Sequence, residues 1–250
     1  MRTPELMGSS CHFRYDLTDK VLTAPDLGNL KVIVASYPRS GTTWLYNTLG
    51  RLGIRAAHEH PFSPAHVSLT HETEFRPLDF VVTVDVTGFA VEYLRDLRAR
   101  GARIIHLLRH PVDTINSCLN YFPCYFLPKH KAEYWDWVCK CWLAFREQND
   151  RYRTDPDIYL EDPIDAVRRV GTILGCTWTD NEIVNASNHS YRGKSTKGTV
   201  GGWEQLPENI RSYAESKGYE PKGFLGRPGR ASNGTQFAKG EEEGPEEPRP

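Results

Sequence analysis

The stretch from Val32 to Leu45, VIVASYPRSGTTWL, constrains this chain more than any other. Its opening, Val32-Ile33-Val34-Ala35, is an apolar, largely β-branched run of the kind that forms a buried strand. The run breaks at Ser36-Tyr37-Pro38, and Ser40-Gly41-Thr42-Thr43 makes a small-residue turn. Leu45, Leu49 and Leu52 then repeat at helical spacing, with Gly53 placed to end a helix. A strand, a small-residue loop and a helix N-terminus together can hold a phosphate on backbone N–H groups.

The loop is close to a Walker A loop, G-x-x-x-x-G-K-[ST], but departs from it twice. Position 36 is Ser instead of the first Gly, and Thr42 follows Gly41 where the lysine should stand. That lysine reaches the β- and γ-phosphates of a triphosphate, and the hydroxyl after it serves magnesium. Here the cation sits two residues earlier, as Arg39. The loop is suited to a phosphate but poorly equipped for a γ-phosphate with its metal.

Further strands follow. Ile54 to Pro61 is a short candidate ended by proline, and Phe62 to Pro77 is a polar, proline-broken loop. Phe80 to Val86, Ile104 to Leu108 and Asp157 to Leu160 complete the strand set. Between them lie helical patterns. Val91, Leu94 and Leu97 form a face closed by Gly101. Pro111 opens a helix with Asp113 in its first turn. Trp135, Trp137, Trp142 and Phe145 stud a long aromatic helix read as core. Asp162 caps a helix with Pro163 first and Gly175 last. A last helix runs from near Pro207 to near Gly218. Strands alternating with helices predict a central parallel sheet flanked by helices, the P-loop-NTPase-like α/β class. In such a sheet ligands bind beyond the carboxyl ends of the strands. Ser36–Thr43 and Arg109-His110-Pro111 both lie there.

Tyr37-Pro38-Arg39-Ser40-Gly41-Thr42-Thr43-Trp44-Leu45 resembles the 5′-phosphosulfate loop of the sulfotransferases that use PAPS (3′-phosphoadenosine 5′-phosphosulfate), with Arg39 where the family has Lys. Arg109 to Ser117, RHPVDTINS, resembles the family's 3′-phosphate segment R-N-P-x-D-x-x-x-S, departing only at His110. Tyr159-Leu160-Glu161-Asp162 and the helix after it resemble a further family block, read as scaffold. Ser195 to Trp203, STKGTVGGW, is a flexible basic loop and resembles the third segment, R-K-G-x-x-G-D-W-K. Lys197, Gly198, Gly201 and Trp203 match it; Thr196, Gly202 and Glu204 do not. Arg192 or Lys194 are the candidates to replace the missing cation.

The resemblance implies an enzyme that transfers a sulfuryl group from PAPS to a hydroxyl or amine, in line and without a metal. The cofactor site it implies is Arg39, Ser40, Gly41, Thr42, Thr43, Trp44, Arg109, Ser117, Lys197 and Gly198. For the acceptor's base the resemblance points to Glu59, with His60 as runner-up; His58 and Asp85 stay open. The proline-rich, aromatic stretch Tyr121 to Lys131 is a candidate acceptor flap. Two rivals remain: a P-loop kinase of a small metabolite, and a non-catalytic nucleotide-binding protein of the same fold.

Composition sets outer bounds. At 250 residues the chain can bury a full core. Its net charge of −1 gives no global bias toward nucleic acid. No apolar run approaches membrane-spanning length, and the first residues lack the apolar core of a signal peptide. Cys11, Cys118, Cys124, Cys139, Cys141 and Cys176 show no zinc-type pairs and read as reduced thiols of a cytoplasmic protein. The expected layout is a lead-in over 1–29, an α/β domain over 30–222, and a Gly-, Pro- and Glu-rich disordered tail over 223–250. The expected partner is a small-molecule or glycan acceptor.

Overall fold

The structure is a computed structural model. It describes residues 29–58, 81–86, 91–121, 134–189, 199–221 and 223–225. Five strands, β1 (Val32–Ser36), β2 (Ala56–His58), β3 (Val82–Val86), β4 (Arg103–Leu108) and β5 (Ile158–Tyr159), pair in the order β2-β3-β1-β4-β5. Every pairing is parallel. The predicted P-loop-type α/β class is therefore the observed one, and each strand expectation corresponds to a strand.

A parallel sheet is covered by helices on both faces, so its inner strands are apolar on both sides. β1 is buried along its whole length. Its side chains alternate. Ile33 and Ala35 pack with Leu94, Leu97 and Ile104, whereas Val32 and Val34 pack with Leu45, Leu49, Val167 and Val170. The helices that supply those residues are α1 (Thr42–Arg51), α2 (Val91–Ala99) and α5 (Pro163–Leu174). A third cluster joins α3 (Pro111–Tyr121), α4 (Trp135–Tyr152) and α7 (Glu208–Ser216) through Ile115, Leu119, Trp142, Phe145 and Ile210. The aromatic helix is core, as expected: Trp135, Trp142 and Phe145 are buried.

Helix α5 begins on Asp162, whose carboxylate accepts from the Asp165 N–H, and ends on Gly175 in the left-handed region. One helix lacks a counterpart in the sequence reading: α6 (Asp180–Asn188), set by a capping box between Thr179 and Glu182. A short antiparallel hairpin, β6 (Tyr219–Glu220) with β7 (Gly223–Phe224), follows α7. Its second strand lies just past the domain boundary drawn at residue 222.

One polar cluster is built into the scaffold. His106, in mid-β4, is only 1% exposed. Burial drives its pKa down to about 3; Arg146, Arg153 and Lys217 push the same way, and Asp157 opposes them. Burial alone would raise Asp157, but Lys217, His106 and Arg153 outweigh it and its pKa falls. Arg153 and Lys217 donate to the Asp157 carboxylate at 2.6 and 3.0 Å. His106, Asp150 and Asp157 are also close enough to share a metal ion. Yet Arg153 and Lys217 already neutralise the carboxylates there. Among the described residues no helix is long and apolar enough to cross a membrane.

Candidate active site

The site grows from the carboxyl end of β1, between β3 and β4. The chain turns sharply after Pro38. The Ser40 N–H donates to the Tyr37 carbonyl at 3.2 Å. Arg39 adopts φ 68° and Gly41 φ 99°. The first is the left-handed region, which a side chain enters at a cost on the order of 1 kcal/mol. Gly41 is required twice over: by its torsion, and because a Cβ there would meet Leu160 Cδ1 at 2.7 Å.

Helix α1 starts directly after Gly41 with no side-chain cap and no acid in its first turn. Its first N–H groups are open to an anion. Helices α5 and α6 differ, each having a capping side chain and acids in the first turn. Ser40 adds a second sign of an anion site. It is fully buried, and its hydroxyl has no hydrogen-bond partner among the described residues. Trp44 is 3% exposed and packs in the core with Leu45 and Leu49.

The strand-end arginine of β4 meets this loop. Arg109 Nη1 donates to the Arg39 carbonyl at 2.9 Å across 70 residues of sequence. Arg39 Nε donates to Ser117 Oγ at 3.1 Å. Cys118 Sγ lies 3.5 Å from the Pro38 carbonyl. Burial pushes this thiol up to about 12 despite Arg39 and Arg109 nearby, so it stays protonated and is no nucleophile. The structure thus brings Arg39, Ser40, Gly41, Thr42, Thr43, Arg109 and Ser117 into one corner.

Three contributions to that corner escaped sequence reading. Asn116 closes a four-bond clamp. Its Oδ1 accepts from the N–H groups of Val200 and Gly201 at 2.6 and 3.2 Å. Its Nδ2 donates to the carbonyls of Gly201 and Val112 at 2.7 and 2.9 Å. Gly201 is irreplaceable, because a Cβ there would press on the Trp135 ring at 2.9 Å. Glu161, read as scaffold, accepts from the His110 N–H at 2.7 Å and from the Tyr219 hydroxyl at 3.2 Å. His110 in turn places Nε2 2.9 Å from the Glu220 carbonyl. A carbonyl only accepts, so the imidazole carries its proton on Nε2. The third contribution is His58, the last residue of β2. Its Nε2 lies 3.1 Å from Thr42 Oγ1 and 3.5 Å from Thr43 Oγ1.

Glu59, His60, Lys197 and Gly198, together with the candidate flap over 121–131 except for Tyr121, lie outside the described residues. The backbone of Asp85 is placed opposite Ala35, one residue short of the end of β3.

Comparison with known proteins was made against this geometry. A family model, the sulfotransferase domain, matches residues 29–223. No curated protein sequence matches the chain. Among solved structures, mouse sulfotransferase SULT7A1 complexed with PAP is similar over 85% of this chain and 87% of its own, with a TM-score of 0.54 and 16% identity. A putative steroid sulphotransferase of Arabidopsis thaliana is similar over 75% of this chain and 74% of its own, at TM-score 0.39 and 17% identity. Shikimate kinase from Bacteroides thetaiotaomicron covers 58% of this chain and 98% of its own, at TM-score 0.40 and 13% identity.

Proposed function

The chain belongs to the sulfotransferase domain family, and on that premise we propose that it transfers a sulfuryl group from PAPS to a hydroxyl or amine of a small-molecule or glycan acceptor. One observation carries the choice of donor. The uncapped start of α1 and the Ser40 hydroxyl, which has no partner among the described residues, stand with Arg39, Arg109 and Ser117. This corner offers an anion both backbone donors and fixed cations. It suits a nucleotide carrying one phosphate at each of two ribose positions. No lysine follows Gly41, so a γ-phosphate has no partner there, which disfavours the kinase reading.

In this reading the N–H groups of Gly41 to Thr43 and the Ser40 hydroxyl hold the 5′-phosphate, while Arg109, Ser117, Lys197 and Gly198 hold the 3′-phosphate. Sulfuryl transfer resembles phosphoryl transfer in being governed by placement and charge stabilisation. As the bond from sulfur to the bridging oxygen breaks, negative charge grows on the leaving phosphate, and Arg39 is positioned to stabilise it. Arg39 and Arg109 supply the positive charge, and the reading needs no metal. Glu59 takes the acceptor's proton, with His60, His58 and Asp85 as rivals. Among the described residues Cys118, Cys139, Cys141 and Cys176 form no disulfide, which supports a cytoplasmic setting.

The test is incubation with labelled PAPS and a metabolite extract, read by mass spectrometry. A sulfated product together with adenosine 3′,5′-bisphosphate is the expected result. Bisphosphate binding without any product would make the chain a non-catalytic binding protein. Magnesium-dependent turnover of ATP would make it a kinase. Once an acceptor is known, Glu59→Gln should abolish turnover with nucleotide affinity kept. An active Glu59→Gln beside a dead Asp85→Asn would move the base to β3.

A further inference from the structure

The edge strand β2 reaches the phosphate loop through the side chain of His58. Its Nε2 is 3.1 Å from the Thr42 hydroxyl and 3.5 Å from that of Thr43, the first two residues of α1. The ring also lies against Tyr46, one turn further on, with centroids 5.6 Å apart. Thr42 is buried, so its hydroxyl has few directions open to it.

A hydroxyl has one proton to give and two lone pairs with which to accept. If His58 Nε2 accepted, it would take the Thr42 proton and leave lone pairs facing any bound anion. If Nε2–H donates, the Thr42 proton is released toward the anion instead. One ring N–H serves one hydroxyl at a time, and 3.1 Å favours Thr42 over Thr43. An anion-holding loop needs donors, so only the second arrangement suits it.

We propose that His58 is a positioning residue for the donor nucleotide: its Nε2–H holds Thr42 Oγ1 so that the threonine proton points into the phosphate loop. The inference rests on the donor-site reading above. It gives β2 a role in donor binding as well as in facing the acceptor. It also leaves only Nδ1 of His58 to act as a base, because a ring that donates through Nε2 to Thr42 cannot collect an acceptor's proton there.

The test is calorimetry with adenosine 3′,5′-bisphosphate on the full chain and four variants: His58→Gln, His58→Leu, Thr42→Val, and the double variant His58→Leu/Thr42→Val. Glutamine places an N–H near the imidazole Nε2 and leucine has none. His58→Gln should bind within about threefold of wild type. His58→Leu should bind about tenfold more weakly, the scale of one hydrogen bond. Thr42→Val should lose a similar factor, and the double variant should be no worse than Thr42→Val alone. Long-range proton–nitrogen NMR of the unliganded wild type should find the His58 proton on Nε2. Melting temperatures of all variants separate a folding defect from a binding one. Wild-type affinity in a folded His58→Leu, multiplied losses in the double variant, or a bare Nε2 would each overturn the proposal. A wild type that binds no bisphosphate would instead overturn the donor-site reading, and this inference with it.

Discussion

The two ends of the proposed nucleotide site are built in opposite ways. The 5′ end is local: Ser36 to Trp44 supplies the turn, the torsions and the open N–H groups from one short run. The 3′ corner is assembled from distant pieces. Arg109, Asn116 and Ser117 come from β4 and α3, and Val200-Gly201 from the segment before α7. Glu161 follows β5, and Tyr219 and Glu220 come from the last hairpin. The difference separates what each end withstands. A local loop carries its conformation in its own backbone, and a substitution there should act on chemistry. An assembled corner is held by side chains bridging elements, so a substitution there should act on affinity and stability together.

The largest effect should come from the 5′ end. Arg39→Met removes the cation proposed to face the leaving group and should cost about 3–4 kcal/mol in the transition state, a loss of several hundredfold in kcat or more. The melting temperature should hardly move, since the side chain is half-buried in a loop and bonds the Ser117 hydroxyl. Turnover near wild type would take Arg39 out of the mechanism.

Arg109→Ala comes next. It should weaken adenosine 3′,5′-bisphosphate binding by about 1.5–3 kcal/mol, and adenosine 5′-phosphate much less. Calorimetry with both nucleotides sharpens the comparison, because Arg109 also supports the Arg39 carbonyl. Equal loss for the two ligands would make it a strut of the 5′ loop and blur the division drawn above.

Asn116→Ala should cost about 2 kcal/mol of stability in urea unfolding, since it strips the acceptor from the Val200 and Gly201 N–H groups. Asn116→Asp keeps that acceptor but turns a carboxylate oxygen on the Gly201 and Val112 carbonyls, so it should also destabilise. If Asn116→Ala unfolds like wild type, the 3′ corner does not depend on the clamp.

The smallest effect concerns pH. His106 titrates at about 3 in the folded chain, below the ordinary value near 6.5 that it takes when unfolded. Between those values the unfolded chain binds more protons. The stability His106 contributes is therefore complete above pH 6.5 and is lost as pH falls toward 3. At pH 5.5 the loss should be about 1 kcal/mol. His106→Gln should match wild type in pH slope above 7 and show a shallower slope between 6.5 and 4. Unchanged slopes would show that carboxylates alone govern acid unfolding.

The sheet was legible because each strand is a short apolar run bounded by breakers, and parallel pairing follows from helices lying between strands. The 5′ loop was legible for the same local reason. Arg109 and Ser117 could be paired only through resemblance, because nothing in their spacing says that a loop 70 residues upstream reaches them. Asn116 reads as one more polar residue on a helix, and its clamp exists only once the segment around Val200 has arrived. Arg146 in the aromatic helix looks like a surface cation, yet it is fully buried, with its guanidinium 5.3 and 5.0 Å from the Trp142 and Phe145 rings. Helix α6 did have a signal, Thr179 with Glu182 three residues on, that would have located its start.

The place of β1 at the centre of the sheet has a consequence for biosynthesis. Among the described strands β1 is the first to be made, but its neighbours β3 and β4 come much later in the chain. The 70 residues from Arg39 to Arg109 take roughly 4 to 14 seconds to translate. Until β3 is made Val32 to Ala35 has two bare edges, and until β4 is made it keeps one; an apolar strand with a bare edge tends to join other chains. The nascent chain therefore needs its amino-terminal strand shielded on the ribosome until β4 has emerged. A fragment ending before Arg103 would carry the whole phosphate-loop sequence and still lack β4, one of the two strands that flank the loop's own strand.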